Sequence, residues 1–566
     1  MTQPLPTKQH LLAVLLEDYY HVGAFDYLIQ RGQWSRFEAR FEHNTIVALD
    51  LLDRFQAKVT FFSLGWIAER QPEIIREITR RGHEIAIYSN LDLTRTNPTE
   101  FKEDVLRARE SLEEAGGKQV LGFRAAQRWQ LKNALWALET LAAEGFSYDA
   151  SIAPTMEVLR SHPERRFAHQ LQLGEKQFWE FPVSTFKLPG FLMPIAGGNF
   201  FRQFPHTIIK QAVRKWHESF DAPFVMYFHV WELDRLQPRI NSASSLAKIR
   251  HYRNLGKMYW VIEDYLKKYN FTSFADYLSL DTTPRPDFVK SKSVKSRDII
   301  KVQSSEAAKV PVSIVIPCFN EESSLPYLAN TLVSVEETLS DKYRPTFIFV
   351  DDCSTDKTNE LLKKLFGAKA NFTIVRHEKN RGVAAAIMTG IGAAKTEIVC
   401  SMDCDCTYDP HELKNMIPLL QTDVSLVTAS PYHPEGKVLN VPAWRLTLSK
   451  GSSFLYRQVL RQKLATYTSC FRVYRKSAVD KLVIEEDGFL GVAELLGKLD
   501  IQRKKIVEYP ATLAVRLFGY SKMKLLKTIL GHLKLLSRLL KLRLSSRNTI
   551  SDGSQQKLQI RDVTIK

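Results

Sequence analysis

The sequence lacks any uncharged apolar run of about 20 residues, the length that a helix needs to cross a bilayer. Residues 1–10 contain no apolar core of signal-peptide length. No cysteine precedes Cys318, and the 6 cysteines are spaced neither for a disulfide framework nor for a tetrahedral zinc site. We therefore expect a cytoplasmic protein without a membrane-spanning segment.

Acidic residues are too few to balance the basic ones. The 79 Lys and Arg residues against 62 Asp and Glu give a formal net charge of +17 and a pI near 9.4. This charge favours anionic partners such as nucleotide phosphates, lipid phosphates or an anionic membrane surface. No zinc-finger spacing, RNA-binding aromatic signature or DNA-reading helix accompanies it, so we expect no nucleic-acid partner.

The domain organisation is indicated by a polar, Lys- and Ser-rich stretch at residues 281–310, which predicts a linker. On both sides of it, strand-like and helix-like segments alternate. Such alternation is typical of α/β domains, whose sites lie at the carboxyl ends of parallel strands. We expect domains at residues 1–280 and 311–522, followed by a basic amphipathic helix and tail at 523–566.

Three apolar runs in the C-terminal half end in acidic or polar side chains. At the end of one run, Asp403 and Asp405 are separated by one residue, so both can reach a divalent cation and its phosphate ligands. Carboxylates at the end of another run, Asp351 and Asp352, can accept hydrogen bonds from a base or a ribose. The runs are VSIVIPCFNE at 312–321, FIFVDD at 347–352 and EIVCSMDCD at 397–405.

In this order, the segments resemble the family-two, GT-A-type glycosyltransferases, particularly the dolichyl-phosphate-mannose-synthase-like branch. The resemblance covers about 310–525 and is carried by SIVIPCFNEE, FVDDCSTDKT, EKNRGVAAAIMTGI, SMDCDCTYDP, LSKGSS, TYTSCFRVYRKSAV and RLFGYSKMKL. It implies a Rossmann-like domain that moves a sugar from a nucleotide-diphosphate donor to a polyprenyl-phosphate, glycolipid or glycan acceptor.

The same resemblance assigns site residues. It implies Mg²⁺ or Mn²⁺ on Asp403 and Asp405, where the metal and basic side chains stabilise the leaving diphosphate. Further catalytic residues are implied at Arg445, Arg472, Glu494 and Arg516. Donor-binding residues are implied at Pro317, Asn320, Glu321, Asp351, Asp352, Ser449 and Lys522. The family's Gly-Ser-Arg-Tyr segment is Ala-Ser-Pro-Tyr at 429–432 here, so one expected arginine is absent.

The segment from Tyr509 to Ser551 contains no Asp or Glu, and its leucines recur at helical spacing among Lys and Arg residues. This pattern predicts a basic amphipathic helix. Two interpretations are open. The helix lies on an anionic membrane surface at the inner face of the cytoplasmic membrane, or its apolar face packs on the transferase domain.

The N-terminal half opens with a strand-like run, LLAVLLEDYYHV at 11–22, that ends in two carboxylates. It is followed by KVTFFSL, GHEIA, GFRA, YDASIAP and YFHVWELD. This succession resembles the polysaccharide deacetylase (NodB-homology) family over about residues 10–280. The resemblance implies a distorted (β/α) barrel in which one Asp and two His residues hold a metal that activates water.

Position by position, the resemblance makes Glu17 the base carboxylate, Asp18 the metal ligand, Arg124 the residue that orients the carboxylate and His229 the general acid. Two other residues stand where the imidazole ligands belong, and tyrosine is a poor ligand for zinc at neutral pH. These residues are Tyr88 and Asp92.

We therefore expect a degenerate centre without ordinary zinc-dependent deacetylase activity, and we assign no metal to it. Three alternatives stay open from the residues alone. The first is a bifunctional glycosyltransferase and deacetylase. The second is a carbohydrate-binding scaffold with both sites idle. The third is an Asp18 and Asp92 site for a different metal.

Overall fold

The computed structural model describes residues 8–127, 129–189, 191–284, 309–519 and 529–545. The chain divides into two compact units. The first comprises Met1–Trp34, Ala39–Pro238 and Ala243–Lys301, and the second comprises Ser35–Glu38, Arg239–Ser242 and Val302–Lys566. Most of the predicted linker, at 285–308, lies outside the described residues, as do Lys522 and the predicted tail at 546–566.

The first unit is built on a sheet of 9 strands in the order β10-β1-β2-β3-β4-β5-β7-β6, with β11 paired to β1. All pairings are parallel except β6 with β7. A separate hairpin joins β8 and β9. The strands are β1 Gln9–Leu16, β2 Thr60–Ser63, β3 Glu84–Ser89, β4 Gly122–Ala125, β5 Tyr148–Asp149, β6 His169–Leu173, β7 Lys176–Glu180, β8 Thr185–Leu188, β9 Phe191–Pro194, β10 Val225–His229 and β11 Asn270–Thr272.

Helices connect these strands, which confirms the predicted deacetylase-type α/β architecture. Strands β1, β2 and β3 are buried almost throughout, as expected for apolar runs covered on both faces. The helices are α1 Phe41–Arg54, α2 Gly65–Arg70, α3 Pro72–Arg80, α4 Pro98–Gly116, α5 Leu131–Ala143, α6 Val158–Ser161, α7 Asn199–Gln203, α8 His206–Ser219, α9 Ser245–Tyr252, α10 Met258–Leu266 and α11 Phe274–Tyr277.

The second unit contains a sheet of 7 strands in the order β14-β13-β12-β15-β18-β16-β19. Strand β18 runs antiparallel to both of its neighbours, whereas β12 to β15 are parallel. This is the GT-A type of Rossmann-like sheet that the sequence predicts. Its strands are β12 Val310–Cys318, β13 Tyr343–Asp351, β14 Phe372–Arg376, β15 Ile398–Ser401, β16 Val424–Ser430, β18 Arg472–Arg475 and β19 Lys505–Pro510, and a small pair consists of β17 Lys437–Leu439 and β20 Thr512–Ala514.

Two apolar cores cover the faces of this sheet. Along β12, Ile314 and Ile316 face one core and Val315 faces the other, as the period of two along a strand requires. The helices packed around the sheet are α12 Leu325–Leu339, α13 Thr358–Phe366, α14 Val383–Ala393, α15 Leu413–Met416, α16 Ala443–Val459, α17 Lys476–Val479 and α18 Phe489–Ile501.

Residues 529–545 form a further helix, which we call the C-terminal helix. Leu535 and Leu539 are fully buried in the second core, so one face packs on the second unit. Other leucines remain exposed, including Leu530 and Leu533. Among the described residues, no helix combines the length and the apolar character required to cross a membrane.

Candidate functional site

The candidate site of the second unit lies where β12, β13 and β15 end. Because parallel strands place their carboxyl ends at one sheet edge, the polar residues that follow them come together there. Asp403 and Asp405 follow β15, and Glu321 follows β12. The sequence predicted this convergence, and the geometry adds the contacts that each side chain makes.

Arg516 forms ion pairs with two of these carboxylates. Its Nε lies 2.5 Å from Oδ2 of Asp405, and one terminal nitrogen lies 2.9 Å from Oε1 of Glu321. The other oxygen of Glu321 accepts a hydrogen bond of 2.9 Å from the Ser324 hydroxyl. The carboxylates of Asp405 and Glu321 therefore share one guanidinium, that of Arg516.

Burial and the nearby charge of Asp405 together raise the pKa of Asp403 to about 7, while Arg516 opposes the shift. A cation at this position would hold the Asp403 carboxylate ionised, since an opposite charge favours the charged form. Within the described residues, no group of 3 or more His, Cys, Asp or Glu side chains could hold a metal ion by itself. Two carboxylates nevertheless fit Mg²⁺ or Mn²⁺ at a diphosphate, because Mg²⁺ commonly takes one or two carboxylates and fills its shell with phosphate oxygens and water.

Asp351, the last residue of β13, and Asp352, which follows it, make internal contacts. Both oxygens of Asp351 accept hydrogen bonds, one from the Ser354 amide and one from the Asn359 side chain, each of 2.9 Å. Asp351 is fully buried at the strand end. Arg376 adds an ion pair of 3.3 Å. The predicted nucleotide contact of Asp351 therefore remains a prediction.

Asp352 organises the following loop. Its oxygens accept hydrogen bonds from the amides of Arg381 and Gly382, at 2.8 and 2.7 Å, and Nδ1 of His377 lies 2.7 Å away. The EKNRG segment is thereby fixed beside the end of β13. His377 is a residue that sequence reasoning missed, and nothing local to residue 352 indicates it.

Pro317 lies within β12, and the loop that follows this strand turns at Asn320. Asn320 has a positive φ of 53°. Its side-chain oxygen accepts a hydrogen bond of 2.7 Å from the Thr355 amide, which ties this loop to the one after β13. Asparagine tolerates the left-handed region better than most residues, so its place here has a local physical reason.

A cavity of about 740 Å³ opens beside the paired aspartates. Arg445, Ser449 and Arg516 line it together with Asp403 and Asp405. Much of the remaining wall is apolar, and sequence reasoning did not assign it to the site. The apolar wall is formed in part by Trp444, Leu455, Phe489, Ile529 and Leu533.

Arg472 and Glu494, for which catalytic roles were predicted, lie in the interior of the unit. Arg472 is fully buried in β18 and donates hydrogen bonds of 2.8 Å to the carbonyl oxygens of Tyr467 and Val492. Glu494 is fully buried in α18 and accepts from the Glu486 amide at 2.9 Å. Neither is among the cavity-lining residues in the described part of the chain.

The candidate centre of the first unit lies at the carboxyl ends of its parallel strands. Glu17 follows β1, and its Oε1 lies 2.6 Å from Nδ1 of His229 at the end of β10. Trp231 donates a hydrogen bond of 3.1 Å to the same oxygen. The structure therefore brings together the predicted base and the predicted general acid.

Asp18, the predicted metal ligand, is fully buried and surrounded by backbone amides. One oxygen accepts from the Tyr19 amide at 2.8 Å, and the other accepts from the amides of Arg40 and Phe41 at 2.6 and 2.9 Å. Burial raises the pKa of Asp18 to about 7, although these hydrogen bonds oppose the shift. The carboxylate caps the first turn of α1.

The two residues at the predicted histidine positions also fit a metal poorly. Tyr88 is buried, and burial together with the charge of Glu17 raises its pKa well above the usual value, so its hydroxyl keeps its proton. One oxygen of Asp92 accepts hydrogen bonds from the Thr94 amide and hydroxyl at 2.9 and 2.7 Å. The absence of an ordinary zinc site in this unit stays a prediction, which these contacts support.

Arg124 lies in β4 and donates a hydrogen bond of 2.8 Å to the carbonyl oxygen of Ala150. Its guanidinium stacks over the Tyr227 ring, 4.8 Å from the centroid. The predicted role of Arg124, to orient the Glu17 carboxylate, stays a prediction.

A buried acid pair in this unit was not predicted. Asp149 ends β5, and Glu180 ends β7, and both are fully buried. Burial raises the pKa of Glu180 well above its usual value, and the charge of Asp149 raises it further. The signal available in the sequence was a carboxylate at the end of each strand.

We expect Glu180→Gln to make the first unit more stable than wild type at high pH. Because the pKa of Glu180 is raised in the folded state, folding binds a proton at pH values above the unfolded pKa, so wild-type stability falls as pH rises from about 4.5 through the folded pKa. The loss approaches about 1.4 kcal/mol per pH unit inside that window. Thermal melts between about pH 5 and 9 would measure it.

The control for this experiment is Glu175→Gln, which changes an exposed glutamate in the same segment. It should leave the pH dependence of wild type unchanged. Parallel pH profiles for Glu180→Gln and wild type would contradict the assignment of the buried proton to this pair.

Comparison with known proteins divides the chain in the same way. Residues 313–483 match the family described as Glycosyl transferase family 2. Residues 32–145 match Polysaccharide deacetylase, and residues 150–279 match a domain of unknown function, DUF3473. The C-terminal domain is thus a family-two glycosyltransferase domain, and the N-terminal domain is of the polysaccharide deacetylase type.

Similar proteins include a dolichol-phosphate mannosyltransferase of Pyrococcus furiosus, which is 30% identical over 41% of this chain and 64% of its own length. The chain thus spans less than two thirds of that relative. A polyprenol monophosphomannose synthase of Mycolicibacterium smegmatis is 27% identical over 37% of this chain and 80% of its own length. A solved polysaccharide deacetylase structure from Mycobacterium smegmatis is 18% identical, with a TM-score of 0.33, and the match covers 50% of this chain and 95% of that chain.

Proposed function

We propose that the protein transfers a sugar from a nucleoside diphosphate sugar to a polyprenyl phosphate. The proposal starts from the combination of a family-two glycosyltransferase domain with a deacetylase-type domain. One observation carries the proposal. Two strand-end aspartates, an arginine and a long apolar wall line a single cavity. The names of the two curated relatives, a dolichol-phosphate mannosyltransferase and a polyprenol monophosphomannose synthase, support a lipid-phosphate acceptor.

In the proposed reaction, a phosphate oxygen of the acceptor forms a bond to the anomeric carbon as the bond between that carbon and the donor's β-phosphate oxygen breaks. The electron pair leaves with the nucleoside diphosphate. A divalent cation at Asp403 and Asp405 would neutralise the charge on this leaving group. Arg516 and Arg445 lie where they can donate to phosphate oxygens. The acceptor phosphate is already ionised, so no strong general base is needed.

The apolar wall supports an acceptor with an isoprenoid chain. Trp444 and Leu455 come from α16, and Ile529 and Leu533 come from the C-terminal helix. Burying such side chains against an apolar chain contributes roughly 25 cal/mol per Å² of area removed from water. A donor with only polar groups would gain no binding free energy from contact with these apolar side chains.

The direct test is product formation. The protein is incubated with Mn²⁺, a polyprenyl phosphate in detergent, and each of several UDP- and GDP-sugars, and the lipid fraction is analysed by mass spectrometry. We expect a glycosyl phosphoryl polyprenol from one of the donors. Donor binding without any transfer would instead favour a carbohydrate-binding scaffold.

We also propose that α16 and the C-terminal helix lie on an anionic membrane surface at the inner face of the cytoplasmic membrane. Only Ser453 and Tyr456 of α16 are buried, whereas Phe454 is 61% exposed. Tyr456 contacts His532 of the C-terminal helix at 2.9 Å, so the two helices are neighbours. Neither helix contains Asp or Glu, and both carry Lys and Arg, as a surface facing anionic lipid requires.

For this surface, the double substitution of Leu530 and Leu544 by Gln should weaken binding to vesicles. The two side chains are 68% and 50% exposed and do not line the cavity, so the change should cost little in folding but removes apolar groups that would enter the lipid interface. We expect partitioning into anionic vesicles to fall about tenfold or more. Co-sedimentation with vesicles containing phosphatidylglycerol would measure the change.

The matched control is Val333→Gln on α12, where the side chain is 48% exposed. It should partition as wild type does. Wild-type binding that is equal for anionic and zwitterionic vesicles would contradict the electrostatic part of the proposal. An unchanged double variant would contradict the apolar part.

A further inference from the structure

Arg516 forms an ion pair with Asp405, one of the two carboxylates proposed to bind the metal. Its guanidinium bridges Asp405 and Glu321 at 2.5 and 2.9 Å, and its side chain is 27% exposed. The oxygen of Asp405 that it contacts is Oδ2; the other oxygen accepts a hydrogen bond of 3.1 Å from the Thr407 amide. Both oxygens of Asp405 are therefore engaged by the protein itself.

The backbone holds Arg516 beside the aspartate loop. The Ala514 amide donates a hydrogen bond of 2.9 Å to the carbonyl oxygen of Thr407, and Leu513 forms a bridge with Tyr408. Only one residue, Val515, separates the first of these anchors, Ala514, from Arg516. The arginine can therefore change its side-chain partner without leaving the site.

A divalent cation and the Arg516 guanidinium compete for the negative charge of the Asp405 carboxylate. If both were held at Asp405 without an additional anion, the cation would face a positive group a few ångströms away, and that repulsion is strong in a partly buried site. A diphosphate changes the balance, because its oxygens can accept from a guanidinium in the bidentate geometry that arginine favours.

We propose that Arg516 gates the metal site: it neutralises Asp405 and Glu321 in the free protein and transfers to the diphosphate when donor binds, which releases Asp405 to the cation. This inference rests on the proposed function, since it assigns a regulatory role within the same donor site. Metal and nucleoside diphosphate then bind cooperatively, and each strengthens the binding of the other by the same factor. The gate keeps the cation from binding tightly before the donor arrives.

The test is Mn²⁺ binding, followed by the loss of the free-ion signal in electron paramagnetic resonance, with and without UDP or GDP. In wild type, we expect weak binding of Mn²⁺ alone and an increase in affinity of about tenfold or more with the matching nucleotide. Arg516→Met should bind Mn²⁺ alone about tenfold more tightly than wild type. The nucleotide should then raise its affinity much less.

Two further variants make the result specific. Arg457→Met removes an exposed arginine of α16 that is not part of the cavity lining and should leave the affinity for Mn²⁺ alone unchanged. Arg516→Lys keeps the charge but cannot contact both carboxylates as a planar fork, so it should be intermediate; it also serves if Arg516→Met does not fold.

The outcomes separate the gate from the proposed function. If Arg516→Met binds Mn²⁺ alone no more tightly than wild type, while nucleotide still promotes metal binding in both proteins, the gate is wrong and the transferase site stands. If neither protein binds Mn²⁺ with any nucleoside diphosphate, the proposed function itself is overturned.

Discussion

Asp405→Asn is expected to reduce metal-dependent sugar transfer by about 10²- to 10³-fold. The substitution keeps the shape of the side chain but removes the charge that would hold the cation and pair with Arg516. Without the cation, the negative charge that develops on the leaving diphosphate is less well stabilised, and the bond to the anomeric carbon breaks more slowly. Initial rates at saturating Mn²⁺ and polyprenyl phosphate, with the donor identified by the product screen, measure the effect.

The control is Asp423→Asn. Asp423 belongs to the same unit, precedes β16 and pairs with Lys505 at 2.6 Å, but its side chain is 60% exposed and lies outside the cavity lining. This variant should transfer sugar at the same initial rate as wild type. Asp405→Asn with unchanged turnover would refute the transferase site at these aspartates, whatever nucleotide the protein binds.

The strands that position this site were predictable because their apolar runs are long and end abruptly in polar residues. The run at 312–321 contains the end of β12, and the run at 347–352 contains the end of β13. Within the run at 397–405, β15 ends at Ser401. Asp403 therefore lies in the loop after the strand, where it can turn toward a ligand.

Roles that depend on contacts distant in sequence could not be predicted in this way. Asp352 was interpreted as a nucleotide contact, yet it holds the amides of residues 381 and 382 and faces His377. Asp18 and α1 show the same limit. Helix α1 begins at Phe41, and a carboxylate 23 residues earlier supplies the acceptor for its first amide, a contact that the sequence around Phe41 does not indicate.

The amphipathic tail illustrates a third case, in which the two interpretations are not exclusive. Helical spacing predicted one apolar face, but it could not say how much of that face the protein would cover. Leu535 and Leu539 are fully buried in the core, whereas Leu530 is 68% exposed. Leucine occurs on both sides of the helix, so only packing distinguishes the buried residues from those left for another surface.

The predicted outcome of Asp18→Ala distinguishes a cap from a metal ligand. Three backbone amides would lose their buried acceptor, so we expect the first unit to lose about 3 kcal/mol of unfolding free energy. For a unit of this size, the loss corresponds to a fall in melting temperature of roughly 6 to 12 °C. Asp92→Ala, at the other predicted ligand, removes only contacts within an open loop and should cost less than about 1 kcal/mol.

Zinc provides the decisive comparison. A ligand that binds only the folded protein, at a concentration 100 times its dissociation constant, adds about 2.7 kcal/mol to the free energy of unfolding. A true metal centre would therefore raise the wild-type melting temperature when the metal is added. It would also release acetate from an N-acetylated glycan. Because the oxygens of Asp18 face amides and Tyr88 keeps its proton, we expect Zn²⁺, Co²⁺ and Ni²⁺ to do neither. A metal-induced shift that disappears in Asp18→Ala would reverse this conclusion and favour the bifunctional enzyme.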